Sequence, residues 1–373
     1  MKTLKIIFIP SIKWESLHQR PQQIALQLSK RSKILWIDQP TFFLSAMLKA
    51  FLGKFKMKEQ LNGNFYIVRT FTFVPFSRVR ISNIINEVIW LFLIRIYGAL
   101  LSWKNGDAVC LICHPLFMFP LKNFSLVYDR CDRYGKYKDI KFMMARRQAD
   151  DIKFMRKARL VINSSYSLWK EALNYNRNSV LIRNGADSAH FKKACSLSKE
   201  TDKPVIGYVG AMAHWIDFKL LRKLAETYPE YELHIIGPTL AVEKNQDFVI
   251  LKQMKNVRIF GRIPYDQLPM YLKEFNVGIV PFISNELTEA VDPIKVYEYM
   301  AAGRQTVTTN LLELHRLKDY IYISKNNDEF IRLCKQAIEN PKATPEELMK
   351  KAFENTWEKR AEQIETEIRK VLH

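Results

Sequence analysis

The stretch DPIKVYEYMAAG, residues 292–303, follows an apolar run, VGIVPF at 277–282, which has the composition of a buried strand. Pro293 suits the first turn of a helix, where its missing N–H costs nothing, and Gly303 can serve as the C-cap. The residues between them are good helix formers without a breaker. Lys295 and Glu298 are therefore expected three residues apart on one helical face, near the helix N-terminus.

A cation beside a helix N-terminus suits a phosphate group, because the first backbone N–H groups and the helix dipole both favour negative charge. We expect Lys295 to neutralise the phosphate of a leaving nucleotide, and Glu298, one turn further, to accept hydrogen bonds from ribose hydroxyls. The alternative for these two residues is an ordinary surface ion pair.

Short apolar runs alternate with helical stretches along the whole chain. In a chain of 373 residues, such continuous apolar strands predict two doubly wound α/β domains with parallel sheets covered on both faces. Ligands bind at the carboxyl ends of such strands, and we expect the active site in a cleft where the two domains face each other. The strands are predicted at 5–9, 34–37, 65–69, 108–113, 126–128, 160–163, 180–182, 205–209, 232–236, 257–260, 277–281, 306–308 and 320–323.

The domain boundary is placed in the polar stretch 194–204, which gives domains at 1–195 and 196–373, the second ending in a long helix from Pro345 to about Leu372. Residues 1–195 carry 33 Lys and Arg against 12 Asp and Glu, net +21, whereas residues 196–373 carry 25 against 26, net −1. The basic half points to a local anionic partner: nucleic acid, an anionic membrane face or an anionic substrate. A solvated basic surface is the plain alternative.

Two apolar segments of the basic half are candidates for contact with a membrane. Residues 42–58 mix aromatic side chains with lysines, which is typical of an amphipathic segment on an anionic bilayer, although the apolar face could equally pack on the domain. Residues 84–103 are apolar with Arg95 in the middle, which favours a buried or interfacial helix over a span. The N-terminus reads as a first strand, and five Cys form no disulfide framework, so we expect a cytosolic protein on the inner membrane face.

Seven stretches along the chain match the motifs of one enzyme family in their order: QRPQQ at 19–23, YDRCD at 128–132, IRNGAD at 182–187, IGYVG at 206–210, IIGP at 235–238, GRIP at 261–264 and residues 292–303. Together they resemble GT-B glycosyltransferases of family 4, in particular enzymes that build teichuronic acid and related surface polysaccharides. The resemblance implies two Rossmann-like domains, with a nucleotide-sugar donor, expected to be a UDP-sugar, held mainly by the second and the acceptor held by the first. One position departs from the family pattern, because the first of two glutamates eight positions apart is here Ala290, which leaves retaining or inverting stereochemistry open.

Further candidate residues follow the predicted strands. Asp129 or Asp132 is a candidate base for a direct attack by an acceptor hydroxyl, or alternatively a residue that holds the acceptor. The structural alternative for both is an N-cap or a salt bridge to a neighbouring arginine. The other donor candidates are Gly207, Gly210, His214, Arg262 and Asp292, and the acceptor candidates are Trp14, His18 and Arg20.

The sequence thus predicts a metal-independent glycosyltransferase of hexosyltransferase type without a cofactor, acting on a lipid-linked glycan at an anionic membrane. No Asp-x-Asp triplet is present, and Lys295 with the helix dipole can supply the positive charge that a metal would give. A GT-B sugar epimerase is the alternative enzyme. A nucleic-acid-binding protein is the alternative outside enzymes, although the dispersed basic residues form no nucleic-acid motif.

Overall fold

A computed structural model describes residues 3–51, 56–72, 88, 92, 96, 103, 108–114, 124–133, 141–197, 199 and 202–372, with backbone only at 49, 72 and 141–146. Two compact units divide the chain. The first unit holds residues 1–182 and 360–373, and the second holds residues 183–359. Among the helices of these described ranges, none is both long and apolar enough to cross a bilayer.

The first unit contains an eight-stranded sheet in the order β10-β9-β8-β7-β1-β2-β5-β4, and β3 and β6 form a separate pair. All neighbours in the large sheet are parallel except β4 and β5. The strands are β1 (Lys5–Ile9), β2 (Lys33–Ile37), β3 (Thr41–Phe42), β4 (Lys58–Asn62), β5 (Phe65–Val68), β6 (Phe71–Thr72), β7 (Ala108–Ile112), β8 (Ser125–Arg130), β9 (Leu160–Asn163) and β10 (Ser179–Leu181). The helices whose full ranges are described are α1 (Arg20–Ser29), α2 (Phe43–Phe51), α3 (Lys141–Lys157) and α4 (Tyr166–Ala172).

The second unit contains a six-stranded, wholly parallel sheet in the order β13-β12-β11-β14-β15-β16. Its strands are β11 (Val205–Val209), β12 (Glu232–Ile236), β13 (Val257–Gly261), β14 (Val277–Val280), β15 (Gln305–Thr308) and β16 (Tyr322–Ile323). Its helices are α5 (Ser188–Lys192), α6 (Phe218–Thr227), α7 (Gln246–Leu251), α8 (Leu268–Leu272), α9 (Ile294–Ala301), α10 (Asn327–Glu339) and α11 (Pro345–Phe353), and α12 (Trp357–Leu372) continues into the first unit. Short 3₁₀ turns cover Lys193–Ser196, Tyr265–Gln267, Thr288–Ala290 and Leu312–Leu317.

The strand order of the second unit is that of a dinucleotide-binding sheet, in which the direction of winding reverses between β11 and β14. In the first unit the reversal lies between β7 and β1. Open α/β sheets bind ligands in the crevice beyond the carboxyl ends of the strands at such a reversal. Each unit therefore has one edge where a site is expected, and the predicted fold of two doubly wound α/β domains is confirmed.

Residues 183–195 pack with the second unit, so the unit boundary lies at 182/183 and differs from the predicted 195/196. The backbone N–H of Asn184 donates to the Asp292 carboxylate at 2.8 Å, and Phe191 is fully buried in the core of the second unit. The polar composition of 194–204 carries no information about these tertiary contacts, which decide where the unit begins.

The prediction of one long final helix from Pro345 is wrong, because the helix is interrupted between α11 and α12. Asn355 and Thr356 leave the helix to pair with the segment at Ala186, whose N–H donates to the Asn355 carbonyl at 3.0 Å. A Cβ on Gly185 would lie 2.6 Å from that carbonyl, so glycine permits the close approach. A continuous amphipathic pattern cannot reveal a pairing partner that lies far away in the sequence.

Candidate functional site

Helix α9 lies beyond the carboxyl end of β14, beside the reversal of the second sheet. Pro293 is its N-cap, in an extended conformation, and therefore stands one position earlier than predicted. At the other end Gly303 adopts φ +66°, its N–H donates to the Met300 carbonyl at 3.0 Å, and that of Arg304 donates to Tyr299 at 2.9 Å. These two bonds form a Schellman motif, which ends the helix where the sequence predicts.

Two glycines make room for aromatic rings against the sheet, Gly207 for Phe275 and Gly278 for Tyr299 of α9. Gly207 of β11 and Gly278 of β14 are paired in the sheet register. A Cβ on Gly207 would lie 2.0 Å from the Phe275 ring, and one on Gly278 would lie 2.4 Å from the ring of Tyr299. The Tyr299 hydroxyl accepts the Val209 N–H at 2.8 Å, at a point where β11 and β14 no longer pair. Gly207 thus serves packing inside a buried strand, which does not fit its predicted contact with a donor diphosphate.

Lys295 and Glu298 form an ion pair on the first turns of α9, with 2.5 Å between Nζ and Oε2. The Glu298 side chain is 2 % exposed and that of Lys295 is 23 % exposed, so this is not the surface pair of the alternative interpretation. Burial raises the pKa of Glu298, and Lys295 opposes that rise by charge and by hydrogen bonding. His190 and Asp187, at the start of α5, also shift this pKa, and the sequence analysis gave neither of them a role.

Asp292 is fully engaged in holding its own loop, although the sequence places it among the donor contacts. Its carboxylate accepts from the Asn184 N–H at 2.8 Å and from the Tyr297 hydroxyl at 2.8 Å, and it pairs with Arg316 at 3.3 Å. The side chain is 0 % exposed. Asp292 therefore anchors the 183–184 segment to the start of α9, and a donor contact does not fit this arrangement.

The loops after β11 and β12 meet at the same edge. The Gly210 N–H donates to Ile236 at 2.8 Å, and a Cβ on Gly237, where φ is +148°, would lie 1.9 Å from the Gly210 carbonyl. His214 is exposed on the loop after β11, with its ring 5.0 Å from that of Trp215. Arg262 is exposed just after β13, so these candidates lie at the carboxyl edge of the sheet, as the sequence predicts.

In the first unit, aromatic side chains gather beyond β1 and β2. The Trp14 ring packs edge-on against Trp36 and Phe65, each at 5.1 Å, and lies 6.4 Å from the His18 ring. Asp38, directly after β2, accepts the Trp14 N–H at 2.9 Å, and burial raises its pKa. The sequence analysis missed Asp38, although a carboxylate that directly follows a predicted strand is the signal that singled out Asp129.

Arg20 and Asp129 come together as a buried ion pair. The Arg20 guanidinium donates to both carboxylate oxygens, with Nη2 at 2.8 Å from Oδ1 and Nε at 2.9 Å from Oδ2. Their side chains are 3 % and 0 % exposed. This geometry does not fit the expectation that Asp129 points out as a base or that Arg20 contacts an anionic acceptor. Asp132, two residues beyond β8, is partly exposed and remains the predicted base.

His114 follows β7 at the reversal of the first sheet, and the sequence analysis gave it no role. Burial, with a smaller contribution from the Arg147 charge, lowers its pKa to about 3. The imidazole is therefore neutral near pH 7 and can accept as well as donate a hydrogen bond. Within the described ranges, no three His, Cys, Asp or Glu side chains are placed to hold a metal ion, and metal independence remains a prediction.

Comparison with known proteins supports the family resemblance. Residues 203–340 match the family model described as Glycosyl transferases group 1, a range that contains α9 and the loops around it. A relative from Bacillus subtilis (strain 168), TuaH, named for a glycosyltransferase role in teichuronic acid biosynthesis, is 27 % identical over 254 residues. That alignment covers 65 % of this chain and 60 % of the relative.

Solved structures share the whole architecture at low identity. A sucrose-phosphate synthase from Thermosynechococcus elongatus is 15 % identical, with a TM-score of 0.75 and coverage of 99 % of both chains. Anabaena HepE, solved in complex with UDP and glucose, is 13 % identical, with a TM-score of 0.69 over 98 % of this chain and 99 % of its own. These likenesses confirm the GT-B fold.

Proposed function

Because residues 203–340 match the family model of glycosyl transferases group 1, we propose that this chain transfers a sugar from a UDP-sugar to a lipid-linked surface-polysaccharide intermediate. The observation that carries the proposal is the Lys295–Glu298 pair, held at the start of α9 beside the reversal between β11 and β14. A buried carboxylate with a partly exposed cation at that edge suits a nucleoside diphosphate better than it suits a neutral ligand.

Each member of the pair has a distinct task in the proposed chemistry. The first N–H groups of α9 and the Lys295 ammonium face the diphosphate, whose negative charge grows as the sugar leaves. The Glu298 carboxylate accepts ribose hydroxyls, and its bond to Lys295 favours the charged form against the effect of burial, which raises its pKa. His214 and Arg262 belong to the same edge and are proposed as further donor contacts.

The acceptor is proposed to bind at the carboxyl edge of the first sheet. Trp14 and His18 offer aromatic surface for a sugar ring, and Asp132, which is partly exposed, offers a carboxylate for its hydroxyls. The net charge of +21 over residues 1–195 suits a diphosphate-linked acceptor and the anionic membrane that carries it. The name of the relative TuaH, which refers to teichuronic acid biosynthesis, supports a surface polysaccharide as the product.

Transfer is proposed to proceed without a metal ion, since Lys295 and the helix N-terminus supply positive charge to the leaving group. Turnover that persists unchanged in excess EDTA supports this part, and loss of turnover that Mg²⁺ or Mn²⁺ restores contradicts it.

The test of the whole proposal pairs binding with transfer. A thermal-shift screen over nucleotide sugars should show stabilisation by UDP or a UDP-sugar. The stabilising donor, with its sugar radiolabelled, is then incubated with a bacterial lipid extract, and label should enter the organic phase. Stabilisation by UDP-sugar with interconversion of the free sugar nucleotide and no transfer would support the epimerase instead. Absence of binding to any nucleotide sugar would refute both.

A further inference from the structure

The outer face of α2 is an exposed apolar stripe. Its side chains Leu44, Met47, Leu48 and Phe51 are 65, 55, 61 and 89 % exposed. Their spacing of i, i+3, i+4 and i+7 places all four on one side of the helix. Elsewhere in a folded domain this spacing marks the side of a helix that faces the core. Here the stripe faces away from the protein.

The opposite face of α2 already has its partner in the first unit. Ala46 is buried, and the Phe43 ring lies 5.4 Å from the ring of Phe71 on β6. The helix is thus fixed to the domain by its inner face. The outer stripe consequently cannot turn inward without losing those contacts.

The segment that carries the stripe is basic in sequence. Residues 39–58 contain four Lys and no Asp or Glu, and Lys58 lies over the Tyr66 ring at 5.1 Å. A second apolar series occurs at Val88, Phe92 and Ile96, three helical positions at spacing i, i+4 and i+8 that are 60, 62 and 38 % exposed. The rest of the predicted helix at 84–103 lies mostly outside the described residues. Apolar stripes with basic flanks suit the boundary between lipid headgroups and acyl chains of an anionic bilayer.

The size of the stripe argues for lipid over protein as its partner. Nine helical residues span about 13.5 Å, so one face about 10 Å wide offers roughly 135 Å². A stable protein interface takes about 800 Å² from each partner. A bilayer requires no such matched surface, since each apolar side chain that leaves water contributes independently.

We infer that α2 lies in the plane of an anionic membrane, with Leu44, Met47, Leu48 and Phe51 inserted below the headgroups. The inference rests on the proposed function in that it names the surface by which the first unit meets the membrane of its lipid-linked acceptor. Insertion itself requires neither donor nor acceptor, so it is measured with the full chain and vesicles alone.

The experiment is co-sedimentation with vesicles of phosphatidylcholine alone and of phosphatidylcholine mixed with phosphatidylglycerol, at low and high NaCl. Wild type should bind the mixed vesicles and lose affinity with salt. The double variant Leu44→Gln/Leu48→Gln should partition at least about tenfold more weakly, because two apolar side chains no longer leave water. Leu312→Gln/Ile250→Gln removes two comparably exposed apolar side chains from the second unit and should bind as wild type does.

Because all four substituted positions are exposed, both variants should keep the melting temperature of the wild type. Vesicle binding of Leu44→Gln/Leu48→Gln equal to that of wild type overturns the inference. A second result also overturns the inference: wild type does not bind vesicles, and its mass in light scattering doubles with concentration, whereas Leu44→Gln/Leu48→Gln keeps the mass of one chain. The face would then be a self-association surface. If wild type fails to bind vesicles but binds UDP, the proposed donor chemistry is unaffected. If it binds vesicles but not UDP, the membrane surface is unaffected.

Discussion

Replacing Glu298 by Gln tests the donor site most directly, because it keeps the size of the side chain and removes only its charge. The carboxylate is buried, and its one ion-pair partner in the structure is Lys295 at 2.5 Å. Glutamine can still accept one hydrogen bond from a ribose hydroxyl, but the bond is no longer charge-assisted. The variant also leaves the Lys295 ammonium without its counter-charge.

The expected loss follows from the strength of such bonds. A hydrogen bond to a charged group is worth about 1.5–3 kcal/mol, and a neutral one about 0.5–1.5 kcal/mol. The difference, about 1–1.5 kcal/mol, corresponds to a rise in the Kd for UDP of about 5- to 12-fold. The smaller rise in Kd applies if Lys295, without Glu298 as its partner, turns to the diphosphate and recovers part of the lost binding energy.

Calorimetric titration of UDP measures the change, with Glu354→Gln as the matched control. Glu354 forms the same i, i+3 pair with a lysine, Lys351, at 2.7 Å, but on an exposed part of the second unit. The control should bind UDP as wild type does. Burial raises the pKa of Glu298, so this carboxylate takes up a proton at a higher pH than an exposed glutamate does. The affinity of the wild type for UDP should therefore fall on acidification at that higher pH, and Glu298→Gln should lack this fall.

An unchanged Kd in Glu298→Gln, with a melting temperature equal to that of wild type, would refute ribose binding by this residue. An equal loss in Glu354→Gln would show that the effect is general electrostatics and not contact with the nucleotide.

Three further changes test the remaining assignments. Lys295→Ala should lower kcat for transfer more than it raises KM for the donor, since charge on the leaving phosphate grows in the transition state; a change in KM alone would contradict the leaving-group role. Gly207→Ala should lower the free energy of unfolding by about 1–3 kcal/mol through its clash with a buried ring, while Gly63→Ala, which meets nothing within 4 Å, should change it by less than about 1 kcal/mol. Asp129→Asn should lower the free energy of unfolding by about 3 kcal/mol in denaturant, because it leaves a buried arginine charge unpaired. Asp132→Asn should unfold like wild type and, if transfer inverts, lose about 10²–10⁴-fold in turnover. The opposite pattern would make Asp129 the base.

Strand positions were predictable because burial on both faces leaves a short continuous apolar run, which is bounded here by turn residues. β1, β9, β11 and β12 begin and end at the predicted residues. The polar strand β4 was missed, since its sequence KEQLN carries no apolar pattern and it is held by antiparallel pairing with β5. The short strands β3 and β6 were missed for a related reason, because two residues cannot show a period.

The sequence also led to the right elements of the candidate site and to the wrong partners for several residues in it. Lys295 and Glu298 were predicted together because the helical period places i and i+3 on one face. Arg20 and Asp129 were given separate tasks, since their pairing joins positions 109 residues apart in the chain. Periodicity carries no information about contacts at that distance.

By itself, the sequence determined the two doubly wound domains, the helix that carries Lys295 and Glu298, and the basic character of the first half, because all three follow from local pattern and composition. Only the tertiary structure decided which charged side chains are available for chemistry. The Asp292 carboxylate is bound by Asn184, Tyr297 and Arg316. The Asp129 carboxylate is paired with Arg20. The glycine pair at 207 and 278 makes room for aromatic rings. The physical reason is that a buried charge must find its counter-charge or hydrogen bonds wherever the fold supplies them, and that supply depends on packing between segments that are distant in sequence.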